Sequence, residues 1–203
     1  MSDPTREVEL KARVDDVTAS RRKIESAGAV LVFEGSLRDR IYDTADRMLA
    51  AQDVVLRLRS YAGPAGESAH LDWKGPTTRE GGFKVRPELT TGVTDPATLA
   101  AILGRIGFEV VGRIDREIAQ YEIADDSDSG IRTIVRFEQY PRMDVLVEVE
   151  GTSAGIERAI VGLGIPRASF SADRLTDFVR VYEARTGQRG AVCDLDFVPG
   201  HGE

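Results

Sequence analysis

Alternation of charged and apolar residues is the sequence feature that most constrains the fold of this chain. Near the N-terminus, Glu7, Glu9 and Lys11 alternate with Val8 and Leu10. Successive side chains of a β-strand point to opposite faces, so the three charges share one face and the two apolar side chains share the other. A water-facing charged side is the usual explanation for one such strand. Carboxylates two residues apart on a strand can also converge on one hard cation.

The same alternation recurs along most of the chain and predicts the fold class. We predict eight strands, at residues 6–14, 37–44, 53–61, 68–74, 82–91, 110–123, 131–138 and 144–151. Their short connections favour antiparallel pairing. Apolar residues at helical spacing, with capping residues at the ends, predict helices at 17–27, 95–107, 153–163 and 171–186. The simplest architecture is a single α+β domain over residues 1–186, an eight-stranded antiparallel β-barrel with the helices packed outside.

Composition excludes several classes of function. The 27 basic and 34 acidic residues give a net charge of −7, which disfavours a general binder of nucleic acid or anionic membrane. With two histidines and one cysteine, a bound metal should be Mg²⁺ or Mn²⁺ held by carboxylates. Without a disulfide pair, a signal-peptide core or a membrane-length apolar run, we expect a cytoplasmic protein.

Two segments carry less information. The acidic run at 125–130 lacks the ligand spacing of a calcium loop, so no calcium site is predicted there. Residues 187–203 are rich in glycine and proline, and we expect them to form a flexible C-terminal tail.

The charged faces of the predicted strands together define a candidate site. They carry eight cations and six carboxylates: Lys11, Arg57, Arg59, Lys74, Lys84, Arg86, Arg116, Arg136, Glu7, Glu9, Glu88, Glu138, Glu148 and Glu150. If these faces pointed to water, the sheet would be an ordinary layer. If they point inward, the charges satisfy each other only in part, and a polyanion with a divalent cation would complete the balance. The sequence has neither GxxxxGK[ST] nor GxGxxG, so side chains would hold the phosphates.

Six short motifs, in order, resemble those of the CYTH superfamily, the triphosphate tunnel metalloenzymes. They are Glu7-x-Glu9-x-Lys11, the DRIYDT segment at 39–44, LRLR at 56–59, WKGP at 73–76, RPE at 86–88 and Glu148-x-Glu150. The resemblance covers about residues 6–180. It implies an eight-stranded antiparallel tunnel and an enzyme such as a class IV adenylyl cyclase, a thiamine triphosphatase or an inorganic triphosphatase.

The resemblance also implies roles for individual residues. Mg²⁺ or Mn²⁺ would be held by Glu7, Glu9, Glu148 and Glu150. The triphosphate would be bound by Lys11, Arg57, Arg59, Lys74, Lys84, Arg86 and Arg116. Lys11 could also activate the nucleophile if neighbouring cations depress its pKa, and Glu138 could join the metal site or orient a water.

The sequence therefore predicts a metal-dependent displacement at phosphorus. Hydrolysis of an inorganic or organic triphosphate is the first expectation, because Pro4-Thr5-Arg6 stands where some class IV cyclases carry a His-Phe pair. Cyclisation of ATP to cyclic AMP and pyrophosphate is the alternative, and a non-catalytic polyphosphate or nucleotide sensor is a third. We expect a small-molecule triphosphate as ligand and no nucleic-acid or membrane partner, and a homodimer is left open.

Overall fold

The computed structural model describes residues 5–124 and 132–196, so the acidic run at 125–130 lies outside the described residues. The strands are β1 Thr5–Arg13, β2 Val30–Thr44, β3 Val55–Gly63, β4 Gly66–Lys74, β5 Thr78–Glu80, β6 Phe83–Val93, β7 Phe108–Ala124, β8 Arg132–Gln139 and β9 Leu146–Glu150. The α-helices are α1 Val17–Ser26, α2 Met48–Ala51, α3 Pro96–Arg105, α4 Ser153–Leu163 and α5 Leu175–Thr186. Short 3₁₀ helices occur at Arg167–Ser169 and Asp194–Asp196.

Eight of these strands form a closed antiparallel barrel, which confirms the predicted fold class. The strand order is β1-β9-β8-β7-β2-β3-β4-β6, and β6 pairs back onto β1. Strand β1 closes the barrel because it pairs with two strands: Thr5–Glu9 pairs with β6, and Glu9–Arg13 pairs with β9. The short strand β5 pairs with the start of β6 and lies outside this ring. Its three residues are too few to give an alternation signal, so it was not predicted.

Two predicted element boundaries are wrong. Strand β2 begins at Val30 instead of residue 37, because its first residues pair with the far end of β7. These residues are continuously apolar, so they give no signal of period two. Helix α5 begins at Leu175 instead of residue 171. Ser171 is held in an extended conformation, since its N–H and C=O both bond to the backbone of Lys11 at 2.9 Å.

The apolar faces of the strands point outward and pack against the helices. One core lies between α1, α4 and the barrel wall and contains Leu10, Val135, Val147, Val149 and Ile160, all at most 2% exposed. A second, smaller core under α3 contains Tyr42, Leu58 and Leu103. Because each strand has two faces and the helices cover the apolar one, the charged faces line the interior of the barrel.

The chain after α5, where we expected a flexible tail, is anchored to the barrel as far as Asp194. Ala191 is fully buried, and its backbone pairs with that of Arg142 at 2.8 and 3.1 Å. The amide of Asp115 on β7 donates to the carbonyl of Val192 at 2.8 Å. Residues 197–203 of the predicted tail lie outside the described ranges. Among the described helices, none is long and apolar enough to cross a membrane.

Candidate active site in the barrel lumen

The interior of the barrel is lined by charged side chains that pair across neighbouring strands. The charged residues under 9% exposed on the inward faces are Glu7, Glu9, Asp39, Asp43, Arg59, Asp72, Lys74, Arg86, Arg116, Arg136, Glu138 and Glu148. The alternative in which all charged faces point to water is therefore wrong. Asp39, Asp43 and Asp72 share strand parity with these faces and raise the six predicted carboxylates to nine, against eight predicted cations. The lumen therefore does not have the excess of cations that we expected.

The predicted metal-binding glutamates lie on one wall of the lumen, on β1 and β9. Glu9 lies directly opposite Glu150 in the strand register, and Lys11 lies directly opposite Glu148. Each of three glutamates is held by a lysine: Glu7 by Lys74, Glu9 by Lys84 at 2.5 Å, and Glu148 by Lys11. Glu148 also accepts from Arg136 at 2.6 Å. The structure therefore brings the predicted carboxylates and the predicted phosphate-binding lysines into direct contact.

Negative charge on this wall is incompletely compensated at two points. Burial and the neighbouring Glu7 raise the pKa of Glu150, and no ion pair to Glu150 is seen among the described residues. The Oε2 atom of Glu7 is buried and has no hydrogen-bond partner within the described part of the chain. Both groups would be satisfied by a cation, since buried carboxylate oxygens are costly without a partner.

The donor chemistry of this wall fits a hard divalent cation. Carboxylate oxygens are the ligands that Mg²⁺ and Mn²⁺ prefer, and Glu7 offers a free oxygen. In the described residues, no group of three or more histidine, cysteine or acidic side chains is yet gathered as a metal site. Three of the glutamates on this wall are instead paired with lysines.

The opposite wall is organised around Asp39, which is 1% exposed. Arg59 donates to Asp39 through Nε at 2.8 Å and Nη2 at 3.0 Å, and Arg116 donates through Nη1 at 3.1 Å. The Arg57 guanidinium is 3.7 Å away and bonds Asp72 more closely, at 2.6 Å. Burial alone would raise the pKa of Asp39, but the three arginines hold it well below its usual value. One carboxylate thus orients three of the predicted triphosphate ligands.

Glu138 is fully engaged in fixing Arg116. Its Oε1 accepts from Arg116 Nε at 2.9 Å, and its Oε2 accepts from the Tyr140 hydroxyl at 2.7 Å. Burial raises the pKa of Glu138, but Arg116, Lys11 and Arg136 outweigh it and lower the pKa to about 2. With both oxygens occupied, this geometry favours an orienting role for Glu138 over direct contact with a metal or water.

Arg86 makes contacts that differ from those of the other predicted phosphate ligands. Its Nε donates to the carbonyl of Gly75 at 2.9 Å, and its Nη2 donates to the carbonyls of Asp53 at 3.1 Å and Lys74 at 3.2 Å. Burial lowers its pKa, against the attraction of nearby carboxylates. Through these hydrogen bonds Arg86 stabilises the turn after β4 and fixes the backbone that carries Lys74.

Lys11 has a lowered pKa, which a lysine needs if it is to activate a nucleophile. Burial lowers the pKa of Lys11, and the neighbouring Lys84 and Arg116 lower it further. Glu9 and Glu138 act in the opposite direction, and the net shift is downward. This direction is the one that the sequence analysis required for a role of Lys11 in proton transfer.

The sequence analysis did not include Asp39 and Asp72 in the candidate site. Asp72 shares strand parity with Lys74, two positions later, and Asp39 opens the motif at 39–44. That parity and that motif were the available signals. Their importance depends on cross-strand partners on β3, which the sequence of one strand does not reveal.

Comparison with known proteins identifies the family. The CYTH domain profile matches residues 5–154, close to three quarters of the sequence. The chain belongs to the CYTH domain family. No curated protein matches the sequence.

Solved structures share the CYTH fold. A candidate adenylate cyclase from Vibrio parahaemolyticus has a TM-score of 0.68 and 20% identity, covering 87% of this chain and 99% of that chain. The PH1012 protein from Pyrococcus horikoshii has a TM-score of 0.63 and 19% identity, covering 85% and 98%. A candidate adenylyl cyclase from Hippeastrum, described as having a dominant triphosphatase activity, has a TM-score of 0.57 and 18% identity, covering 95% and 98%. At these identities the likeness establishes the fold.

Proposed function

We propose that this CYTH protein is a divalent-metal-dependent enzyme that hydrolyses a triphosphate bound in the barrel lumen. The observation that carries the proposal is the direct contact between predicted phosphate ligands and predicted metal ligands: Lys11, Lys74 and Lys84 bind Glu148, Glu7 and Glu9. A pure anion binder gains nothing from carboxylates beside its ligand. An enzyme that transfers a phosphoryl group needs both acidic metal ligands and basic phosphate ligands at one place.

The charge balance of the lumen supports coupled binding of metal and triphosphate. Among the described residues, seven of the eight predicted lumen cations are already ion-paired, so a highly charged anion alone has to displace carboxylates from them. Mg²⁺ or Mn²⁺ would be held by Glu7, Glu9, Glu148 and Glu150, which leaves an excess of positive charge for the phosphates. When bound, such an ion neutralises phosphate charge and acts as a Lewis acid.

The chain's own residues have distinct parts in the proposed reaction. Lys11, Lys74 and Lys84 exchange their glutamate partners for phosphate oxygens, since their charge then faces the ligand. Arg57, Arg59 and Arg116 hold the other end of the triphosphate with guanidinium planes that Asp39 has already oriented. Glu138 and Tyr140 keep Arg116 in place. Lys11, with its lowered pKa, takes or gives a proton at its Nζ atom.

Cyclisation of ATP is the second candidate, because it needs the same two walls and differs in which phosphorus is attacked. The Vibrio parahaemolyticus neighbour is described as a candidate adenylate cyclase, whereas the Hippeastrum neighbour is described by its triphosphatase activity. The missing His-Phe pair before Glu7 favours hydrolysis here. We retain a cytoplasmic location as part of the proposal, with a small-molecule substrate and no nucleic-acid or membrane partner.

One assay separates these functions. The purified protein is incubated with Mg²⁺ or Mn²⁺ and with ATP, inorganic triphosphate or thiamine triphosphate, and both phosphate and cyclic AMP are quantified. Release of phosphate without cyclic AMP is the expected result. If cyclic AMP is the dominant product, the protein is a cyclase and the proposed hydrolysis is wrong. Equal triphosphate affinity with and without the metal, together with no turnover, would indicate a sensor.

A further inference from the structure

Three aromatic side chains form a connected cluster on β2, β3 and β4. The rings of Phe33 and Tyr61 lie 5.3 Å apart, and those of Tyr61 and His70 lie 5.9 Å apart, both in edge-to-face arrangement. All three residues are half-buried, whereas aromatic residues of the larger outer core such as Tyr121 and Phe137 are buried. They therefore retain ring surface that another aromatic group could contact.

The cluster lies on the inward faces, at the end of the barrel next to the turn between β3 and β4. Tyr61 follows Arg57 and Arg59 on one face of β3, and His70 precedes Asp72 on one face of β4. Tyr61 is also close enough to Arg59 to affect its pKa. Two residues along a strand span about 6.7 Å. A group attached to a triphosphate held by Arg59 would therefore reach Tyr61.

Glycines shape the space around this cluster. At Gly63, a Cβ atom would lie 2.9 Å from the Phe33 ring, so glycine is what allows Phe33 to approach Tyr61. Gly92 on β6 lies directly opposite His70 in the strand register, and a Cβ there would meet nothing within 4 Å. The inward position next to His70 is thus open, and it is exposed at the mouth of the lumen. Leu37, fully buried and directly opposite Tyr61, gives the cluster an apolar base.

We propose that Phe33, Tyr61, His70 and the gap at Gly92 bind the flat aromatic heterocycle of an organic triphosphate. This inference rests on the proposed function, because the triphosphate must lie along the arginine wall for its organic group to reach the cluster. Half-buried aromatic rings stack on the flat faces of heterocycles whatever substituents these carry. The two sources of such a heterocycle are a nucleoside triphosphate and thiamine triphosphate, and inorganic triphosphate lacks it.

The test compares the ratio of affinities for organic and inorganic triphosphate. Apparent affinities for ATP, thiamine triphosphate and inorganic triphosphate are measured with Mg²⁺ present, as KM values where a ligand turns over and as dissociation constants by titration calorimetry where it does not. The variants are Tyr61→Ala, Tyr61→Phe and Gly92→Leu. Because Gly92 lies in open space on a strand, Gly92→Leu fills the gap without straining the fold. Gly104→Leu, at an exposed position of α3 with open space around it, is the matched control.

We expect Tyr61→Ala and Gly92→Leu to lower the organic-to-inorganic affinity ratio by about tenfold or more, while Tyr61→Phe keeps most of it. Gly104→Leu should leave the ratio at its original value. The organic ligand with the larger loss identifies the source of the heterocycle. Equal losses for all three ligands, or binding of inorganic triphosphate alone by the unmodified protein, would overturn the inference and leave the proposed function intact. Failure to bind any triphosphate would instead overturn the proposed function, and this inference with it.

Discussion

Glu9 and Glu150 lie directly opposite each other on β1 and β9, with both side chains inside the barrel. Like charges in this position destabilise a sheet. The neighbouring cross-strand partners have opposite charges instead, as in Lys11 with Glu148 and Asp39 with Arg59. Lysines compensate Glu9, whereas Glu150 has a raised pKa caused by burial and by Glu7. The negative charge of this pair is therefore only partly compensated by cations.

Neutralising each member of this pair should affect stability differently. Glu150→Gln removes the poorly compensated charge, so the metal-free protein should keep or gain thermal stability. Glu9→Gln leaves Lys84 and Lys11 with one partner fewer, and should cost about 1–3 kcal/mol. Both variants should lower turnover about a hundredfold or more if these residues hold one metal ion.

Thermal unfolding with chelator present, together with turnover across a Mg²⁺ titration, checks this prediction. Equal stability changes in the two variants would contradict the assignment of the lysine contacts. Turnover close to that of the unmodified protein at limiting Mg²⁺ would remove both residues from the metal site.

Metal and triphosphate should strengthen each other's binding. A divalent cation on the glutamate wall frees Lys11, Lys74 and Lys84 from their carboxylate partners, so Mg²⁺ should raise triphosphate affinity by about 5–150-fold. Thermodynamic linkage requires triphosphate to raise Mg²⁺ affinity by the same factor. Titration calorimetry in both orders measures the two factors. Glu150→Gln should reduce the coupling, and affinities independent of metal in both orders would contradict the proposed arrangement.

Asp39→Asn should separate substrate affinity from turnover. The substitution keeps the size of the side chain but removes the charge that orients Arg59 and Arg116, at a cost of about 3–5 kcal/mol in stability. Triphosphate affinity should hold, because the lumen becomes more positive, while kcat should fall about tenfold or more because the guanidinium groups lose their alignment. Urea unfolding and steady-state kinetics check both effects.

Asp95→Asn is the matched control for that substitution, because it changes the exposed N-cap of α3, where asparagine caps equally well. It should alter neither stability nor kcat. Weaker triphosphate binding in Asp39→Asn with kcat unchanged would show that Asp39 acts on affinity instead of alignment.

The metal-free protein should be most stable on the acid side of neutrality. Burial, with neighbouring acids, raises the pKa of both Glu88 and Glu150, so their protonation should increase stability as pH falls from about 7 towards 5. The pKa of Asp39 is well below its usual value and that of Glu138 is about 2, so stability from these groups is present above about pH 4 and is lost as the pH falls through their folded values.

Melting temperatures measured with chelator between about pH 3 and 7 check this dependence. Glu150→Gln should flatten the rise between about pH 7 and 5. A steady loss of stability from neutral pH downward in the unmodified protein would contradict the raised pKa values.

The sequence by itself determined the strands of the barrel and most of its lumen. Alternation is local, because it depends only on neighbouring residues, and so the inward set from Glu7 to Glu150 could be predicted with its chemistry. The helices, with apolar stripes that must be buried, already required an apolar outer face on the sheet. The six motifs, occurring in the expected order, then indicated the CYTH family, which the profile match confirms.

Only the tertiary structure decided which charges meet. Asp39 matters because β3 places Arg59 opposite it, and Arg86 binds backbone carbonyls because the turn after β4 passes beside it. The early start of β2 depends likewise on pairing with the far end of β7. These contacts join residues that are distant in sequence, and their energies arise from burial and charge at close range. Alternation assigns a side chain to a face, but the closure of the barrel selects its partner.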